Sequence, residues 1–143
     1  MLSFTYKAKV IVKEFDMSRC FYLKTEYCVD FIGMQGTLQL IMLHEHIVSY
    51  KEIEPSDGGR DSACFYIEGE SACGVQVINK EGYIIIKLDS NCNYIDYYLA
   101  SQILRIENDF LKTPVFDKDD NIIKPREYFS DENIQKLMDE DAL

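Results

Sequence analysis

Gly74-Val75-Gln76-Val77-Ile78-Asn79-Lys80-Glu81-Gly82-Tyr83-Ile84-Ile85-Ile86-Lys87-Leu88 is the stretch that decides the fold. Gly74 to Ile78 reads as one strand. Tyr83 to Leu88 reads as a second, with Ile84, Ile86 and Leu88 on one face. Asn79 to Gly82 between them is a tight turn, with Gly82 free to adopt a positive φ. Upstream, Ala63 to Ile67 is a short strand, followed by a turn at Glu68-Gly69-Glu70-Ser71. The region is therefore expected to be a three-stranded antiparallel meander.

Further upstream, Pro55-Ser56-Asp57-Gly58-Gly59-Arg60-Asp61 is the strongest loop signal in the chain. Leu38 to Ile53 is apolar on both alternations, as a doubly buried strand or a buried helix would be. Its β-branched Ile41, Ile47, Val48 and Ile53 favour two strands with a break near Glu45. Phe4 to Lys13 and Phe21 to Phe31 both alternate, with a polar break at Glu14 to Arg19, and are expected to form an N-terminal hairpin. Gly33 and Gly36 bracket the next turn.

Downstream the periodicity changes. Asn93 is an expected N-cap, with Asp96 three residues on. Ile95, Leu99, Ile103, Ile106 and Phe110 form one helical stripe, and Pro114 closes the region. Val115-Phe116 and Ile122-Ile123 read as a small hairpin or a pinned loop. Ser130 caps a last helix, whose apolar side is Ile134, Leu137 and Met138. Asp139, Glu140 and Asp141 place negative charge at its negative pole, so its end is expected to fray. Strands followed by helices give an α+β class: an antiparallel sheet of about five to seven strands, with an amphipathic helix packed on one face and a short final helix.

The 143 residues, 47 % apolar and 28 % charged, fit a single globular domain spanning 1–143. Lys7, Lys9 and Lys13 interrupt any signal-peptide core, and no apolar run approaches the ~20 residues of a membrane span. The expected home is the cytoplasm. There Cys20, Cys28, Cys64, Cys73 and Cys92, five in number and without a C-x-x-C, serve mainly as small hydrophobes. Acid is uneven. Residues 1–60 carry seven Lys/Arg and eight Asp/Glu, and residues 61–143 carry eight and seventeen. From Glu107 onward eleven acids face five bases, so −6 of the total −10 lies there. This argues against nucleic acid and anionic membranes, and in favour of a basic partner.

No segment carries a catalytic signature, and no cofactor is implied. His44 and His46, the only histidines, would share one face of a strand and offer a metal-binding H-x-H. Cupins use such a pair with a following Glu and a third His; here Glu52 is one residue too far from His46 and there is no third His. A Cys-His nucleophile has no signature around any Cys. Asp117-Lys118-Asp119-Asp120-Asn121 has the opening spacing of a calcium loop. However, Ile122 stands where its Gly belongs and Tyr128 where its Glu belongs, so a solvated turn is the better reading. Gly58-Gly59-Arg60 lacks the phosphate-loop pattern.

The expectation that remains is a small acidic protein that docks a more basic protein. Its contact residues would be Glu107, Asp109, Asp117, Asp119 and Asp120, with Tyr94 and Tyr97 as anchors. In size, charge and mixed architecture alone it resembles bacterial toxin-neutralising immunity proteins. The alternative is a β-rich metal- or small-ligand-binding domain, enzymes included, centred on His44 and His46.

Overall fold

The structure is a computed structural model that describes residues 18–25, 49–52, 62–80 and 82–141. Phe4 to Lys13, residues 26–31, the Gly33 to Gly36 turn, all of Leu38 to Ile53 except 49–52 (so His44 and His46 too), and the Pro55 to Asp61 loop lie outside those residues. The strands are β1 (Arg19–Lys24), β2 (Ser49–Glu52), β3 (Ser62–Tyr66), β4 (Val75–Lys80), β5 (Tyr83–Leu88), β6 (Val115–Phe116) and β7 (Ile122–Ile123). The helices are α1 (Tyr94–Leu111), α2 (Pro125–Tyr128) and α3 (Asp131–Asp141).

The strands form one sheet in the order β2-β3-β4-β5-β1-β6-β7, and every pairing is antiparallel. The meander is present as β3, β4 and β5. Lys80 pairs with Tyr83, so the connection holds two residues, and Gly82 adopts φ +80°. β1 covers the start of the expected Phe21 to Phe31 strand, whose proposed hairpin partner Phe4 to Lys13 lies outside the described residues. It runs along β5 from Arg19↔Leu88 to Lys24↔Tyr83 and meets β6 on its other edge at Tyr22 and Leu23.

Register explains which side is covered. Directly opposed residues of antiparallel strands share a face. Phe21, Ile86 and Val77 align in one row, and Leu23 aligns with Ile84 and Val115 in another. These residues, with Ala63, Phe65, Val75 and Leu88, are buried beneath Tyr97, Leu99, Ala100, Ile103 and Leu104 of α1. Phe129, Ile134 and Leu137 close the same core from α2 and α3. Phe21 meets the rings of Tyr128 and Phe129 edge-on, at 5.3 Å each. The architecture is therefore α+β, with the described helices on one face of an antiparallel sheet.

Asn93 caps α1 with a full capping box, its side chain accepting from the Asp96 amide and Asp96 accepting from the Asn93 amide. Ser130 accepts from the Asn133 amide at the start of α3. The expected apolar stripe of α1 is displaced. Ile95 and Ile106 are only partly covered and Phe110 is 61 % exposed, whereas Asp96, Ala100, Leu104 and Glu107 are buried. The N-terminal half of α1 is covered both by the sheet and by α3, which widens its buried face.

The expected fraying of α3 is also corrected. The Arg19 guanidinium donates to the Leu137 carbonyl (3.4 Å), Glu140 (3.1 Å) and Asp141 (3.0 Å). Tyr97, itself fully buried, donates to Asp141 at 2.7 Å. A cation from β1 thus sits at the negative pole of α3 and offsets the acids there. Arg19→Met is expected to lower stability by about 1–2 kcal/mol and to speed amide exchange over 137–141 while β5 keeps its protection. Unchanged exchange at the end of α3 would show that the clamp does not hold it.

Candidate functional site

Asp96 is the centre of the most organised polar arrangement among the described residues. It is fully buried on the first turn of α1. Its Oδ2 accepts from the amides of Ala72 (3.1 Å), Cys73 (3.0 Å) and Asn93 (3.1 Å). Its Oδ1 accepts from the Gly74 amide at 2.9 Å. One carboxylate therefore closes the N-terminus of α1 and also pins the turn entering β4. Gly74 is required there. It adopts φ +78°, and a Cβ would come within 2.6 Å of the Cys64 sulfur and 2.9 Å of the Phe65 carbonyl.

Cys73 and Cys92 lie beside this carboxylate, one ligand atom from each residue falling within 4.8 Å of the other two. Burial, and then the Asp96 charge, push both thiols above the ordinary range. They are therefore protonated near neutrality and are poor nucleophiles, since the thiolate is the reactive form.

Three acid-bearing segments meet at the same end of α1. The Asn93 side chain donates to the Glu70 carbonyl at 2.8 Å, which brings the Glu68–Glu70 turn alongside. The Cys92 amide donates to the Asp89 carbonyl, which places Asp89 next to the cap. Tyr94, 41 % exposed, donates to Asp131 at 2.5 Å, which brings in the start of α3. That acceptor, above all, raises the Tyr94 phenol. Glu68, Glu70, Asp89, Asp131 and Glu132 are all exposed. Segments 67–79 and 88–104 contain no Lys or Arg.

The expected contact residues fare differently. Tyr97 is fully buried and hydrogen-bonded to Asp141. Glu107 is 1 % exposed. Neither can touch a partner in this conformation, which corrects both assignments. Asp117 accepts from the amides of Asp119 and Asn121 in the β6–β7 turn, where Asp120 adopts φ +62°. The segment that opens like a calcium loop is thus a self-bonded Asx turn. Asp119 and Asp120 are exposed on that turn, directly after the exposed Lys118.

Asp109 lines a groove of about 440 Å³ with Arg105, Lys124, Arg126 and Glu127, over Ile122 and Ile123. Part of the acid expected to form one side from Glu107 onward is therefore interleaved with cations, while among the described residues the segments without Lys or Arg meet at the opposite end of α1. No sequence periodicity marks that junction, because three separate segments compose it. His44 and His46, the candidate metal pair, lie outside the described residues. Among those residues, no helix is long and apolar enough to cross a membrane. Comparison with protein-family models, with curated proteins and with solved structures found no match.

Proposed function

We propose that this chain is a small acidic binding protein that docks a more basic protein through the N-terminal end of α1. The observation that carries this reading is the meeting of acid-bearing segments there. Exposed Glu68, Glu70, Asp89, Asp131 and Glu132 lie on segments that meet at the start of α1, where half-exposed Tyr94 donates to Asp131, and the segments 67–79 and 88–104 supply no cation. An aromatic among acids suits a partner that presents Lys and Arg around an apolar contact. This junction is also pre-ordered. The Asp96 hydrogen bonds fix its loops before any encounter, which lowers the entropy cost of binding. Toxin-neutralising immunity proteins are one class that works in this way, and this chain is proposed to be of that type.

The test is capture of basic proteins encoded beside this chain, measured against ionic strength. Affinity is expected to fall roughly tenfold or more between low and high salt, as exposed charge pairs are screened. A Glu68→Lys, Asp89→Lys, Asp131→Lys triple variant should lose the partner, whereas Asp119→Lys with Asp120→Lys should retain it. A captured partner indifferent to salt and to the triple reversal would overturn the reading.

A further inference from the structure

The geometry points to a thiophilic divalent-cation site at the N-terminus of α1, with Cys73, Cys92 and Asp96 as its protein ligands and zinc as the cation class it suits. The assignment does not rest on partner docking, although both use the N-terminal end of α1. Three atoms within 4.8 Å of one another share a point no more than about 2.8 Å from each. Zn–S bonds are about 2.3 Å and Zn–O bonds about 2.0–2.2 Å. Shifts of about half an ångström, within reach of small side-chain rotations, would bring all three to bonding distance.

The supports for the ligands are already in place. Cys92 and Asp96 flank the N-cap Asn93, and Cys73 sits on the turn whose amides the carboxylate holds. Oδ2 accepts three amides but Oδ1 accepts one, so Oδ1 retains a lone pair for a metal. The amide bonds act as the outer shell that orients a ligating carboxylate. Two sulfur donors with one oxygen favour zinc, cadmium or cobalt over calcium or magnesium. Three protein ligands leave a fourth position for water on the side of Cys73, the partly exposed member of the set.

The positive pole of α1 and the amides aimed at Asp96 oppose a cation, and two thiolates with the carboxylate must outweigh them. Segments 67–79 and 88–104, which carry all three ligands, have no Lys or Arg to balance them. The exposed Glu68, Glu70 and Asp89 nearby raise the local concentration of cations. Binding converts two thiols to thiolates and releases two protons, so affinity should rise with pH.

The probe is Co²⁺, titrated into the full chain after chelator treatment under reducing conditions and then displaced by Zn²⁺. One equivalent is expected to give a thiolate-to-cobalt charge-transfer band and the strong visible bands of tetrahedral cobalt. Cys73→Ser and Cys92→Ser should each weaken binding by at least about tenfold. Cys73 is only partly buried, so its variant is expected to stay folded, which circular dichroism verifies. Cys20→Ser, on the sheet face away from α1, should leave the titration unchanged. Absence of the charge-transfer band at saturating cobalt would overturn the site. So would a band that survives the Cys73 and Cys92 variants or one that Cys20→Ser removes.

Discussion

Asp96→Ala is expected to lower the stability of the metal-free protein by about 4 kcal/mol, a large share of the ~5–15 kcal/mol that holds a domain of this size. The estimate follows from what the carboxylate does. It accepts four backbone amides, at 2.9–3.1 Å. Hydrogen bonds to a charged acceptor contribute about 1.5–3 kcal/mol each, and a buried donor left without one costs about 1–3 kcal/mol. The amides of Cys73, Asn93 and exposed Ala72 can partly recover through water, whereas the buried Gly74 amide cannot, so the total stays below the sum of the four. Asp96→Asn is the sharper test. The amide keeps one acceptor but turns an NH₂ group towards N–H donors that have nothing to accept it. It should therefore lose nearly as much as the alanine variant. Denaturant unfolding decides the matter: an asparagine variant within about 1 kcal/mol of wild type would show that the amides are held by something other than this carboxylate.

Asp96 also marks how far the sequence could be read. The capping box was legible, because Asn and Asp three residues apart ahead of an apolar run is a local pattern. The three amides from residues 72–74 were not, because they come from more than twenty residues away and use backbone atoms that any residue could supply. The meander was legible for the same reason as the cap: alternation and a Gly turn are both short-range signals. So were the β6–β7 hairpin and the Ser130 cap. The phase of α1 was misplaced because counting apolar residues cannot foresee that Ala100 and Glu107 face inward while Phe110 faces out. The end of α3 was misjudged because three adjacent acids look unfavourable until Arg19, more than 110 residues earlier, is brought beside them.

The same limit applies to the charge. Along the sequence the acid concentrates after Glu107. In space, Glu107 is buried, Glu140 and Asp141 pair with Arg19, Asp117 serves its own turn, and Asp109 lies among Arg105, Lys124 and Arg126. The exposed acids of the final 37 residues are therefore divided, with Asp131 and Glu132 by the start of α1 and Asp109, Asp119, Asp120 and Glu127 elsewhere. Among the described residues, the exposed acids at the start of α1 include Glu68, Glu70 and Asp89, whose segments hold no Lys or Arg, with Asp131 joined through Tyr94. Composition counts the charges, and folding determines which of them share a surface.

Glu107 carries the second large effect, and it opposes stability. The side chain is 1 % exposed, and among the described residues neither carboxylate oxygen has a hydrogen-bond partner. Burial pushes its pKa from 4.5 up to about 7. Because the folded-state value lies above the unfolded one, folding favours the protonated form. The penalty is absent below about pH 4.5, grows as pH rises through the interval, and is complete above about 7. A shift of that size corresponds to about 3 kcal/mol. Glu107→Gln removes the charge, so its stability relative to wild type should rise across that window and then level off. Glu107→Leu should follow the same curve from a higher baseline, because it also removes the unpaired polar atoms. Taking the difference between variant and wild type at each pH cancels the other titrating groups, which both proteins share. A pH-independent difference between Glu107→Gln and wild type from pH 4 to 8 would mean that Glu107 is solvated or paired in solution.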